Sequence, residues 1–120
     1  PVLLNASVAW DPSRELGILL GGRFVDRAQL DNTGNPGFRT PSFFNLDLQA
    51  TLSLARWVKR GEPRVRVQAT NLLDDDRQWP SGYGYVYFAR DAAGRDALEA
   101  TAYYYPLATR SVYVTVDVRF

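Results

Sequence analysis

Three consecutive aspartates, Asp74, Asp75 and Asp76, are the first residues in the 120-residue chain whose type and spacing suggest chemistry. Clustered carboxylates can hold a hard cation such as calcium. Three acids at the end of a strand-like run serve equally as a solvated exit, and that is the reading adopted, so no metal is expected. Downstream lie Trp79, Tyr83, Tyr85 and Tyr87, whose rings can stack on a sugar or a flat ligand, or pack locally. Arg39, Arg77, Arg90 and Arg95 carry charge in neighbouring loop-like stretches and can steer anions. Arg39, Trp79, Tyr83, Tyr85 and Tyr87 together make the candidate ligand-binding set. The chain has no His and no Cys, which removes the commonest general base and any thiolate nucleophile. No catalytic constellation remains, and no cofactor is implied.

The elements that must position these residues read as strands. In Arg110–Phe120, Val112, Val114, Val116, Val118 and Phe120 share one parity, and Ser111, Tyr113, Thr115, Asp117 and Arg119 the other. Side chains alternate across a strand, so this is one apolar and one polar face. The same alternation is clearest from 43 to 58, where Phe44, Leu46, Leu48, Ala50, Leu52 and Leu54 oppose Asn45, Asp47, Gln49, Thr51 and Ser53. A helix would need apolar residues three and four apart. Weaker alternation marks 2–10, 16–28 and 64–74. Gly17, Gly21 and Gly22 suggest a bend or close approach in the second of these. Asp11-Pro12-Ser13 and the segment 59–63 are short turns. Stretches 29–42 and 75–105 read as long loops, with a turn or two of helix expected within 92–100.

The expectation is therefore an all-β, antiparallel five-stranded meander with short connections at one end and long ones at the other. Outer-membrane barrels are built with that rhythm. An 11-residue strand is also about what a tilted strand needs to cross a bilayer. The apolar parity would face lipid, with Trp10 and Phe120 at the lower interface, Phe24 and Phe44 at the upper one, and Arg56 snorkelling at the lower rim. Asp47, Gln49, Arg64, Arg66, Asp117 and Arg119 would line the lumen. A net charge of +1 gives no argument for nucleic acid. The chain begins without Met or a signal sequence, and reads as the C-terminal piece of something longer.

Two stretches resemble the C-terminal end of TonB-dependent receptors of Gram-negative outer membranes. Val65–Asp74 (VRVQATNLLD) is similar to a strand-to-loop segment that in such receptors carries Asn-Leu-Phe-Asp or a close variant, with Leu73 standing for the usual Phe. Tyr103–Phe120 (YYYPLATRSVYVTVDVRF) is similar to their last strand, with the loop Pro, the Arg at its start and the terminal aromatic. Ala108 and Thr109 stand where a Gly is common. The resemblance implies a fragment of a large transmembrane barrel of about 22 strands. It further implies a plug domain and an energy-coupling segment outside this chain.

On that resemblance the protein is expected in the outer membrane, among lipid and lipopolysaccharide. It would bind a scarce small nutrient at its outer loops and import it with TonB-coupled energy through the plug. Tyr113, Val114, Val116, Val118 and Phe120 would form the signal read by the barrel-assembly machinery. Other readings of the residues are a passive porin, an outer-membrane enzyme barrel, and a soluble antiparallel β-sheet binding module.

Overall fold

The computed structural model describes residues 1–58 and 61–119. Seven strands run in chain order: β1 (Leu3–Trp10), β2 (Leu16–Val25), β3 (Phe43–Ser53), β4 (Arg64–Thr70), β5 (Ser81–Arg90), β6 (Asp96–Tyr105) and β7 (Ser111–Asp117). No helix occurs among the described residues. β1, β2, β3, β4 and β7 form one antiparallel sheet in that spatial order, and β5 pairs only with β6 in a separate ribbon. The all-β class and the five-stranded antiparallel sheet agree with the sequence reading.

The register sorts most side chains by polarity, with Leu3, Leu19, Val25 and Phe43 as apolar residues on the polar side. Leu4 faces Phe24 and Val8 faces Leu20. Leu20 in turn faces Leu48, which faces Ala69, and Ala69 faces Val112. On the opposite side Asn5 faces Arg23, which faces Asn45, while Gln49 faces Gln68, which faces Tyr113. A slip of one residue would mix the two sets, so the pattern fixes the pairing. Gly22 shows the close approach its sequence suggested, since a Cβ there would lie 3.0 Å from the Phe44 ring.

The sheet is a single layer. Its buried apolar side chains among the described residues are few (Phe43 and Ala69), and the aliphatic face stays open, with Val8 66% and Val114 65% exposed. Each such side chain gains about 1.5–3 kcal/mol when it leaves water. The outer edges of β1 and β7 have no strand partner among the described residues.

Four strand ends differ from expectation, among them that of β7, which stops at Asp117 short of the expected 120. β2 stops at Val25 rather than 28 and β3 at Ser53 rather than 58, because Leu54 starts a turn in which its carbonyl accepts from Trp57 N and Val58 N at 2.9 and 3.0 Å. β4 stops at Thr70 rather than 74, because Asn71 adopts φ 50° and turns the chain. The larger correction concerns 75–105. It is not an irregular loop, and 92–100 holds no helix. Residues 81–105 form the β5–β6 ribbon around a tight turn at Asp91–Arg95. Ala, Leu and Glu between 92 and 100 favour a helix locally, but the ladder to the Tyr- and Val-rich β5 outweighs that preference.

Candidate functional site

The ribbon leaves the sheet between β4 and β7, and its base is closed by a polar clasp. Asn71 is 4% exposed and every hydrogen-bonding group of its side chain is engaged. Its Nδ2 donates to the carbonyls of Asp75 (2.9 Å) and Ala108 (3.2 Å), and its Oδ1 accepts from Asp75 N (3.1 Å) and Gln78 Nε2 (3.0 Å). Its backbone N–H donates to Asp47 Oδ1 on β3 at 3.0 Å. Asn fits this position because it tolerates the left-handed backbone and carries both donors and an acceptor. Gln78, itself buried, also donates its Nε2 to the Phe44 carbonyl at 3.3 Å, and its backbone carbonyl accepts from Leu107 N at 2.8 Å.

Asp74, also left-handed at φ 56°, completes the clasp. Its carboxylate accepts from Arg110 N at 3.0 Å and pairs with the Arg110 guanidinium at 3.4 Å. The Asn71–Asp74 tetrapeptide and the Arg that starts the last strand, read separately in the sequence, therefore meet. Asp75 caps its own turn by accepting from Arg77 N at 3.0 Å. No group of three His, Cys, Asp or Glu gathers as a metal site among the described residues.

The ribbon has two unlike faces. One presents Gly82, Gly84 and Tyr104, and the loop after β2 packs on it. Phe38 is the most buried aromatic among the described residues, at 2% exposure, and a Cβ on Gly84 would lie 2.7 Å from its ring. Leu30 N donates to Phe38 O and Thr40 N to Ala28 O, both at 2.8 Å, which fold that loop back on itself. Tyr104 stacks on Trp79 with ring centroids 5.0 Å apart, and its hydroxyl donates to the Arg39 carbonyl at 3.1 Å.

The other face presents Tyr83, Tyr85 and Tyr87 from β5 and Tyr103 and Tyr105 from β6. Tyr83 and Tyr103 have centroids 5.3 Å apart and planes within 17°, and Tyr85 and Tyr103 are 5.8 Å apart and within 12°. The Tyr85 and Tyr103 hydroxyls lie 3.4 Å apart, and the Tyr87 hydroxyl donates to Glu99 Oε2 at 3.0 Å. The hydrogen bond with Tyr103, reinforced by the repulsion between two phenolates, holds the Tyr85 pKa above its ordinary value.

Of the five candidate ligand residues, Tyr83, Tyr85 and Tyr87 come together. Trp79 and Arg39 do not join them: both meet Tyr104 on the glycine-bearing face, and the Arg39 guanidinium donates to the Gln29 side chain. Tyr103 and Tyr105 escaped the sequence reading, although Tyr-Gly-Tyr-Val-Tyr over 83–87 is a period-two signal that could have exposed the ribbon. In β7, Val114 and Val116 lie on the aliphatic face opposite Val67 and Val65, and Tyr113 on the polar face opposite Gln68. Val118 follows the strand's end, and Phe120 lies outside the described residues. No family model, curated protein or solved structure matches the chain.

Proposed function

We propose that the chain is part of the wall of a large outer-membrane barrel of the TonB-dependent receptor kind. In this proposal the whole protein is an active transporter in a Gram-negative outer membrane. One observation carries the reading: a single-layer sheet whose five strands place aliphatic side chains on one open face and mainly polar ones on the other. Lipid is a cover that such a face accepts without any complementary shape. The ten residues of β2 rise about 33 Å, which at the usual strand tilt is close to the roughly 25 Å apolar band of outer-membrane barrels.

Further features support the same reading. Trp10 ends the aliphatic face at one side and the Phe24–Phe44 pair at the other, as interfacial aromatics do. The unpaired edges of β1 and β7 would pair with further strands of a closed wall, since bare backbone groups in lipid cost several kcal/mol each. The polar face would line the lumen against a plug that couples to the TonB complex. The ribbon and the loop after β2 would lie outside the cell, where they meet the nutrient. The β7 valines, with Tyr113 and Phe120, would be presented to the barrel-assembly machinery.

The test is where the full-length protein carrying this chain resides. It should sediment with the outer membrane, resist alkaline carbonate and be released only by detergent. Recovery as a monodisperse, water-soluble monomer would end the proposal.

A further inference from the structure

The tyrosine face of the β5–β6 ribbon takes no part in holding the ribbon to the sheet. We propose that it is a binding platform for a neutral, soluble oligosaccharide, an inference that rests on the outward placement of the ribbon in the transporter reading. It therefore narrows the nutrient to a chemical class.

The two faces of the ribbon differ in what the chain itself does with them. Gly84 on one face makes room for Phe38, so that face is filled from within at its base, while Val86, Phe88 and Leu98 farther out stay exposed. On the other face the chain places five of its seven tyrosines, and each stays 38–57% exposed. Tyrosine offers a large contact area with few torsions to freeze, which makes it efficient at recognition surfaces. Here the rings are also pre-ordered by one another, with planes within 12–17° for the Tyr83–Tyr103, Tyr85–Tyr103 and Tyr83–Tyr85 pairs. Ordering before binding lowers the entropic cost of association.

The chemistry of the face is that of a sugar's counterpart. Aromatic carbon suits the C–H faces of a pyranose, and phenol hydroxyls both donate and accept, as sugar hydroxyls do. The Tyr85 and Tyr103 hydroxyls, 3.4 Å apart, offer a paired hydrogen-bonding group to such a ligand. The charge balance excludes the alternatives. The strand positions on this face carry no Lys or Arg, and their one ionised group is Glu99, already engaged by Tyr87. A phosphate, carboxylate or anionic metal chelate finds no cation there and meets a carboxylate.

Geometry sets the size and source of the ligand. From Tyr83 to Tyr87 the strand advances about 14 Å, longer than one sugar ring, so the platform suits an extended chain of several units. The molecule measures 80 × 23 × 21 Å, so the ribbon continues the long axis of the sheet away from the aliphatic face. That distance favours a ligand arriving from solution over a lipid-anchored headgroup.

The experiment uses the full-length protein purified in a detergent without a sugar headgroup. It is titrated calorimetrically with maltohexaose and cellohexaose (neutral), a galacturonate hexamer (anionic) and a glucosamine hexamer (cationic). At least one neutral hexamer should bind saturably and more tightly than both charged ones. Tyr83→Ala and Tyr103→Ala should each weaken it about three- to tenfold. Tyr85→Phe, which keeps the ring and the fold, should weaken it less but measurably. Absence of binding by both neutral hexamers, tighter binding of a charged one, or indifference to all three substitutions would overturn the assignment. A membrane-inserted protein with none of this binding sinks the platform alone. A water-soluble protein that still binds through these rings sinks the transporter reading alone.

Discussion

The five-stranded sheet and the β5–β6 ribbon follow the same period-two rule and end with different surfaces. In the sheet, Leu, Val and Phe repeat on one face over five neighbouring strands, and no described element covers them. In the ribbon one face is filled by Phe38 at its base, and the other presents rings tipped with hydroxyls. Aliphatic surface is non-directional and accepts any apolar cover, whereas phenol groups ask for a partner with matching polar atoms. The contrast implies that the two regions meet different surroundings, a fluid one beside the sheet and a specific one beside the ribbon.

The comparison breaks most easily at β7. Val114 lies on the aliphatic face opposite Val67, and Thr115 on the polar face opposite Arg66. If lipid covers the first face, Val114→Arg should cost about 2–4 kcal/mol and cut the amount of assembled barrel sharply. Thr115→Arg should leave assembly close to normal. Were the aliphatic face bathed in water, both exposed positions would tolerate Arg within about 0.5 kcal/mol. Heat-modifiable mobility of the assembled protein on electrophoresis distinguishes the outcomes, and equal assembly of the two variants would remove the assigned facing.

A smaller effect is expected where the ribbon is docked. The Cβ of Gly84→Ala would lie 2.7 Å from the Phe38 ring, so the ring or the ribbon must shift. Overpacking of this kind costs about 1–3 kcal/mol. The cost should fall on the contact between the ribbon and the loop after β2. Amide exchange should therefore quicken in 28–40 and 81–105 while β1–β4 and β7 stay protected. Uniform loss of protection would mean that sheet and ribbon unfold as one unit.

The same two regions show what a sequence displays. In β3 the apolar and polar residues alternate without exception from Phe44 to Ser53, so strand and facing were both legible, and the register followed. The ribbon was hidden because Gly82 and Gly84 look like loop residues and 92–100 looks helical. Both signals are local, and the pairing that overrides them joins residues up to 24 apart, as in Ser81 with Tyr105. Asn71 shows the same limit. Its tetrapeptide was visible, but its partners Asp47 and Ala108 are distant in sequence and only the folded chain names them. Trp79 and Arg39 were placed with the tyrosines by residue type alone, and facing separates them.

The smallest effect belongs to the ribbon's tip and depends on pH. Asp91 Oδ1 accepts from Ala93 N at 2.8 Å and Arg95 N at 2.9 Å, and its other oxygen meets Arg95 Nε at 2.9 Å. Gly94 supplies the left-handed residue of this turn, at φ 75°. The bond from the Arg95 N–H, with those from its side chain and from Ala93, lowers the Asp91 pKa and outweighs the opposing effect of burial. A carboxyl whose folded pKa lies below its unfolded one stabilises the turn fully above the unfolded value. That contribution is lost as pH falls through the folded value. The turn should therefore be unchanged from pH 7 to about 5 and should loosen below about 4, the ordinary range for Asp. The Ala93 and Arg95 amides, followed by NMR in the detergent-solubilised protein, should lose protection as pH falls below about 4, while the β5–β6 ladder near Tyr83 and Tyr103 keeps its own. Asp91→Asn should abolish the pH dependence at those two amides. If they respond to acid identically in the variant, the carboxylate is not what closes the turn.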